Sequence, residues 1–389
     1  MRTRHENGIS RRGIVKAFGA VAGAALAGDA LFAQQRAEPP TTVSSPPRDF
    51  DEPTTYFQDP DILTVDPSFQ SLVQPQNSIR RLWTGGVWLE GPAWSGVGKY
   101  LVFSDIPNNR QMRWSEDDGR VTVFRTPANN SNGNHFDFQG RQLSCEHLMR
   151  RVVRCEHDGS VTIIADNYGG KRLNSPNDVV SHPDGSYWFT DPPFGASLFE
   201  GQPDAPGGLA NRMGLLNPRL GQPPDLGSFR RELETGVYRV DPSGKVDLVI
   251  GEDQLFDPNG LSFSPDYKRL YVASSGRGMR VMYVFDVENT RVTNRRLFSD
   301  FMIDGVKCGP DGVKCDVYGN VWVSSNAGRA VGYNGVTVWN PEGTLIGRVR
   351  LPEVCANICF GGPKRNRLFM AASQSIYAVH FNTQGAAPS

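Results

Sequence analysis

The sequence has no surplus of charge. Its 41 Lys and Arg are matched by 41 Asp and Glu, which leaves neither the basic footprint of a nucleic-acid binder nor a polybasic membrane anchor. It also lacks helical periodicity: in the repeat region no stretch carries apolar residues at helical spacing over three turns. The six cysteines (Cys145, Cys155, Cys308, Cys315, Cys355 and Cys359) include no Cys-x-x-Cys pair, and their spacings do not suit a zinc site. Cys145 with Cys155, or Cys308 with Cys315, would form a disulfide in an oxidising compartment. The alternative is that they are small buried apolar residues. No apolar run spans a membrane either, since the best one, Ala17 to Ala33, is short and interrupted by Asp29.

What the chain has is turns. Asp117-Asp118-Gly119, Asp158-Gly159, Pro183-Asp184-Gly185, Asp241-Pro-Ser-Gly244 and Asn340-Pro-Glu-Gly343 separate short apolar runs such as Tyr100-Leu-Val-Phe, Val161-Thr-Ile-Ile, Leu270-Tyr-Val-Ala and Asn320-Val-Trp-Val-Ser. Strands bounded so closely by turn signals predict an all-β fold.

Within this pattern one arrangement recurs. A polar residue stands just ahead of a strand-like run in Glu90-Gly-Pro-Ala-Trp, Asn134-His-Phe-Asp-Phe, Asn177-Asp-Val-Val, Asn259-Gly-Leu-Ser-Phe, Asp311-Gly-Val-Lys and Asn357-Ile-Cys-Phe. The interval is roughly 40 to 50 residues, the period of a β-propeller blade, except between Asn177 and Asn259, where it is nearly doubled. Alone, each Asp-Gly or Asn-Gly would be a turn dipeptide. Repeated at blade period, the polar residues occupy equivalent strands and point into one channel. Two carboxylates and four amides make an oxygen-rich, net-negative ring suited to a hard cation such as Ca²⁺. The expected architecture is a β-propeller with a metal site in its central channel.

The ends and the long interval extend this reading. Ser10-Arg11-Arg12-Gly13 ahead of a mild apolar stretch is similar to a twin-arginine export signal. Residues 1–33 are therefore expected to be a signal peptide, 34–60 a Pro- and Thr-rich flexible linker, and 61–385 the propeller. The protein is expected in the periplasm or outside the cell, with the twin-arginine machinery as a partner and no span in the mature chain. The excess in the long interval falls on residues 196–234, rich in Gly, Pro and Asn. Insertions into a repeat emerge as loops on one face, so this one is expected to rim or cover the channel mouth.

Further candidates lie beside the ring. His147, in Cys145-Glu146-His147, is a candidate proton carrier near neutral pH, with His135 as a second. Asn134, Asn177 and Asp191 are candidate substrate contacts. Trp94, Trp188 and Trp322 are expected in the core between blades.

Taken together, these motifs resemble the family of gluconolactonases, senescence marker protein (regucalcin) and luciferin-regenerating enzyme. The resemblance covers Ile79 to Phe381. It rests on Glu90-Gly-Pro-Ala-Trp94 with Ser104-Asp105-Ile106, on Ser175-Pro-Asn177-Asp178 with Asp191-Pro-Pro-Phe-Gly195, on Pro258-Asn259-Gly260-Leu261, on Pro310-Asp311-Gly312 with Asp316, and on Asn357 with Phe360-Gly361-Gly362-Pro363. It implies six blades and one divalent cation, Ca²⁺ before Zn²⁺, Mg²⁺ or Mn²⁺. Glu90, Asn259 and Asp311 match the family's metal ligands, and Asn177 a further residue at the metal or substrate. Asp311 is the expected catalytic base. The implied activity is hydrolysis of a small lactone, gluconolactone or a related aldonolactone, to its hydroxy acid. The alternatives are another ester or phosphotriester hydrolase at the same cation, or a non-enzymatic binding propeller. Two positions depart from the family. Ser175 stands where the animal proteins carry a sugar-binding arginine, and Ser274 where an aspartate is common. The first leaves the lactone's identity open.

Overall fold

The computed structural model describes residues 49–52, 58–196, 231–276 and 279–388. The expected signal peptide, most of the expected linker and the middle of the 196–234 insertion lie outside them.

The fold is an all-β, six-bladed propeller. Blade 1 is Leu89–Ser95, Tyr100–Asp105, Arg110–Ser115 and Val121–Arg125, each strand antiparallel to the next. Blade 2 is Ser131–Phe136, Gln142–Glu146, Arg151–Cys155 and Val161–Ala165. Blade 3 is Val179–Ser181, Tyr187–Asp191, Gly236–Val240 and Val246–Ile250. Blade 4 is Pro258–Phe263, Arg269–Ser274, Val281–Glu288 and Arg291–Ser299. In each, the first strand is innermost, and the inner strands of neighbouring blades touch around the whole ring.

The last two blades are completed from the N-terminal side. Blade 5, Gly309–Cys315, Val321–Asn326, Gly335–Trp339 and Leu345–Arg350, gains Ile62–Thr64 as a fifth, outermost strand. Blade 6 has inner strands Cys355–Gly361, Arg367–Ala372 and Ser375–His380, and its outer strand is Arg80–Thr84, with Arg80 opposite Ala378. The ring is thus closed without leaving an open edge at the seam. Phe50 packs edge-on against Tyr377, and the Asp51 carboxylate pairs with Arg81 at 2.6 Å. Phe50 and Asp51, within the linker expected over 34–60, are therefore docked on blade 6.

The core lies between blades. Trp94 stacks on Phe369 across blades 1 and 6, Trp188 meets Phe263 edge-on across blades 3 and 4, and Trp322 meets Phe360 across blades 5 and 6. All three tryptophans are buried, as expected of inter-blade core. The cysteines are free thiols, five of them buried. Neither expected disulfide forms, for reasons of register. Cys145 faces Val152 while Cys155 faces Gln142, at opposite ends of one hairpin. Cys308 and Cys315 bracket the inner strand of blade 5 from its two ends.

The insertion leaves blade 3 after Asp191 and returns at Gly236. Inner strands start at the mouth and second strands come back to it, so both described ends of the insertion lie on the mouth side.

Candidate functional site

All six inner strands open at the same face, and five of them slip register there. The slips fall between Glu90 and Ala93, Ser131 and Asn134, Pro258 and Leu261, Pro310 and Val313, and Cys355 and Asn357. Such bulges free residues from the ladder and re-aim their side chains. Glycine in the bulge lets neighbouring strands meet. A Cβ on Gly91 would lie 2.0 Å from the Asn132 carbonyl oxygen, and one on Gly133 would lie 2.3 Å from that of Asn177. Gly260 presses in the same way on the Asp311 carbonyl oxygen, and Gly312 on the Asn357 side-chain Oδ1. The residues brought into one tier are therefore Glu90, Asn132, Asn177, Asn259, Asp311 and Asn357.

This tier holds the four expected ligands, Glu90, Asn177, Asn259 and Asp311, and substitutes Asn132 for Asn134. The Asn134 amide is saturated elsewhere. Its Oδ1 accepts from Gln111 Nε2 at 2.8 Å and Gln142 Nε2 at 3.0 Å, and its Nδ2 donates to the Gly91 carbonyl at 2.9 Å and Ser104 Oγ at 3.0 Å. It ties blade 1 to blade 2. Asn132 is buried, its Oδ1 has no hydrogen-bond partner among the described residues, and its Nδ2 lies 3.3 Å from His147 Nε2. The signal for Asn132 was in the chain: Asn132-Gly133 repeats the acid- or amide-Gly step of Glu90-Gly91, Asn259-Gly260 and Asp311-Gly312.

The tier's electrostatics turn on Glu90, which is 4 % exposed. Burial pushes its carboxyl up to about 7. The Gly91 N–H, donating at 3.0 Å, and the Asn357 amide work against that rise, the negative charge of Asp178 adds to it, and Lys314 tempers it. Asp178, buried one residue beyond Asn177, is also raised, again chiefly by burial, with Lys314 opposing. Asn357 faces both acids while its own Oδ1 accepts the Ile358 N–H at 2.8 Å. Asn259 donates through Nδ2 to Ser275 Oγ at 3.3 Å, which turns its oxygen away from that contact. Asp311 is half-buried, and together with Glu90 it raises the nearby Cys355 thiol, an effect led by burial.

These donors suit a hard cation. They are carboxylate and amide oxygens, one buried amide oxygen is unpaired, and burial keeps a carboxylate from ionising easily despite Lys314. Among the described residues no three His, Cys, Asp or Glu side chains close on one point to hold an ion. An ion here would lean on the amides.

The other candidates sit around this tier. His147 is buried behind Asn132, and the Phe194–Ala196 turn packs on it, since a Cβ on Gly195 would lie 2.8 Å from His147 Cβ. His135 Nε2 is 3.0 Å from Ser181 Oγ, and burial, then Lys314, push its imidazole down to about 3. The imidazole is held neutral near pH 7, without a second proton to give. Asp191 Oδ2 accepts the Asn174 N–H at 2.8 Å, its Oδ1 is buried with no hydrogen-bond partner among the described residues, and burial raises its carboxyl to about 7 against backbone bonds from Asn174 and Ser175. Ser175 donates to the Pro192 carbonyl at 2.6 Å and accepts the Gly195 N–H at 2.9 Å. Ser274 donates to the Phe256 carbonyl at 2.6 Å. Asp178 and Lys314 are the channel residues that the sequence reading passed over, although both lie inside motifs it singled out.

The family model described as the SMP-30/Gluconolactonase/LRE-like region matches residues 88–374, well over half of the chain. This protein belongs to that family. It is 28 % identical to the gluconolactonase of Zymomonas mobilis, with 83 % of this chain and 87 % of that one aligned. It is 25 % identical to bovine regucalcin over 73 % of this chain and 83 % of that one. The solved gluconolactonase of Xanthomonas campestris superposes with a TM-score of 0.68 at 30 % identity, covering 85 % of this chain and 96 % of that one.

Proposed function

We propose that this chain is an exported lactonase that opens a small lactone to its hydroxy acid, with one divalent cation bound at the mouth tier. Membership of the family and the likeness to two gluconolactonases support the reaction class. The observation that carries the site is Glu90, an acid buried among amide oxygens, with its pKa pushed to about 7. Glu90, Asn177, Asn259 and Asp311 would hold the cation, Ca²⁺ first because every donor is oxygen. When bound, it would polarise the lactone carbonyl and acidify a water.

The protein's own groups do the rest. Asp311, half-buried at the tier, takes the proton from the attacking water. His147, held against Asn132, enters as the imidazolium and gives its proton to the alcohol oxygen as the ring C–O bond breaks, and the proton on Asp311 passes through solvent to restore it. Asn177 and Asn132 orient the substrate. Ser175 favours a second reading. Its hydroxyl is used within the fold, so it gives a sugar nothing in place of the family's arginine. That keeps a non-sugar ester or a phosphotriester in play at the same cation.

A screen of sugar, aliphatic and aromatic lactones on chelator-stripped and Ca²⁺-reloaded protein tests the reading. Lactone turnover lost on stripping and regained on reloading is the expected result. Turnover of aryl esters or phosphotriesters alone moves the case to the second reading, and ion binding without any turnover moves it to a binding propeller. Export is tested separately. Arg11→Lys with Arg12→Lys should hold the protein in the cytoplasm, and an unchanged periplasmic yield rules out the twin-arginine route.

A further inference from the structure

One tier below the mouth, the channel contains a lysine. Lys314 follows Asp311 on the inner strand of blade 5, and its side chain is only 11 % exposed. Its Nζ donates to the Val313 carbonyl at 3.0 Å and stands 3.6 Å from Asp178 Oδ2, contributed by blade 3. That Oδ2 is buried and has no hydrogen-bond partner among the described residues, while Oδ1 accepts the Val179 N–H at 3.2 Å. Beside Lys314 lies a cavity of about 30 Å³, lined in part by the C-terminal residues Gly385, Ala387 and Pro388.

Charge counting gives this lysine a purpose. Glu90, Asp178 and Asp311 bring three carboxylates to this end of the axis, and Lys314 brings an ammonium that acts on Glu90 and Asp178. The remainder, two negative charges, is what one divalent ion neutralises. The oxygens that Lys314 engages, a carboxylate and a backbone carbonyl, are the donor types Ca²⁺ takes.

We propose that the Lys314 ammonium occupies a second cation site, built from Asp178 and the Val313 carbonyl, and so limits the channel to a single divalent ion. The inference rests on the reading that the mouth tier binds an ion. Calorimetric titration of metal-free protein with Ca²⁺ tests it without using activity. One ion per chain is expected for the wild type and two for Lys314→Met. Asp178→Asn combined with Lys314→Met removes both charges together and should return the count to one. Asp178→Asn alone leaves one net negative charge and should weaken the single site by about tenfold or more, since ligand charge sets affinity in such sites.

A Lys314→Met chain that binds one ion with unchanged affinity overturns the proposal while leaving the mouth site intact. A wild type that binds two ions also overturns it, and a wild type that binds none overturns both readings. Should Lys314→Met not fold, the Asp178→Asn arm decides, and an unchanged affinity there counts against the proposal.

Discussion

Two buried acids on inner strands of this propeller are treated in opposite ways. Asp137 closes the inner strand of blade 2 at the end away from the mouth. Burial alone would raise its carboxyl, but Arg141 at 2.7 Å, the Tyr187 hydroxyl at 2.8 Å and the backbone N–H groups of Gln139 and Arg141 overcome it and hold the pKa below the ordinary value. Glu90 opens the inner strand of blade 1 at the mouth and receives a single backbone N–H, an amide and a shared lysine, and its pKa rises to about 7. The same chain pairs Glu146 with Arg125 and Arg151, and Asp61 with Arg350. At these three positions it supplies arginine to a buried acid. Around the mouth it supplies amides instead, which solvate a cation but do not replace one.

The largest effect that would test this contrast is catalytic. Asp311→Asn keeps size and one oxygen but removes a charge and the proposed base. Turnover should fall by about 10²- to 10⁴-fold even at saturating Ca²⁺, the scale of general-base catalysis. Recovery of most of the rate with excess metal would reduce Asp311 to a ligand, and near-wild-type activity with metal content unchanged would move the chemistry to His147.

Next in size is the structural acid. Asp137→Ala leaves Arg141 without its main partner and should cost about 3 kcal/mol, the scale for breaking a buried pair, measured by chemical denaturation. Ca²⁺ affinity should not change. A change there would join the two ends of the channel electrostatically and blur the distinction.

The pH dependences should have opposite signs. Asp137 binds its proton less tightly folded than unfolded, so its contribution to stability is present above the ordinary Asp range and fades as pH falls. Glu90 binds its proton more tightly folded, so metal-free protein should be most stable below about pH 4.5 with respect to this group and lose stability as pH rises to about 7. Melting scans of stripped protein between pH 5 and 7.5 should show a fall of several degrees that Ca²⁺ cancels. Glu90→Gln should flatten that slope without erasing it, because Asp191, also raised to about 7, has the same sign. A slope identical to wild type in Glu90→Gln would mean that Glu90 ionises freely.

How legible this was depends on the kind of information involved. Turn dipeptides mark the blades, and the repeated polar-Gly step marks the tier, because a blade repeat returns the same residue to the same strand end. Asn132 was missed in favour of Asn134. The two lie on one strand, and the following glycine in Asn132-Gly133, not the blade spacing, says which reaches the axis. Asp178 and Lys314 come from blades 3 and 5, and nothing local announces that they meet. The outer strands of blades 5 and 6 pair residues near 62–64 and 80–84 with others almost at the opposite end of the chain. No periodicity carries that information. The smallest test follows from the first of these misreadings. Asn134→Ala should lower stability by roughly 1 to 3 kcal/mol, because Gln111 and Gln142 lose a buried acceptor, with turnover kept. Asn132→Ala should do the reverse, lowering kcat/KM by about tenfold with little change in melting, on the scale of one lost hydrogen-bonding partner.

The seam in blade 6 also sets an order of events in time. Arg80–Thr84 is synthesised early and finds its partner only when Ser375–His380 has been made. Until then the sixth inner strand, with Asn357, has no outer support, and the gap it leaves adjoins Glu90 on one side and Asp311 on the other. A nascent or truncated chain therefore has an incomplete tier, whatever blades it has already formed. If the proposed tier holds an ion, its full set of donors exists only once Ser375–His380 has been made, and Ca²⁺ binding would then be a readout of a finished ring.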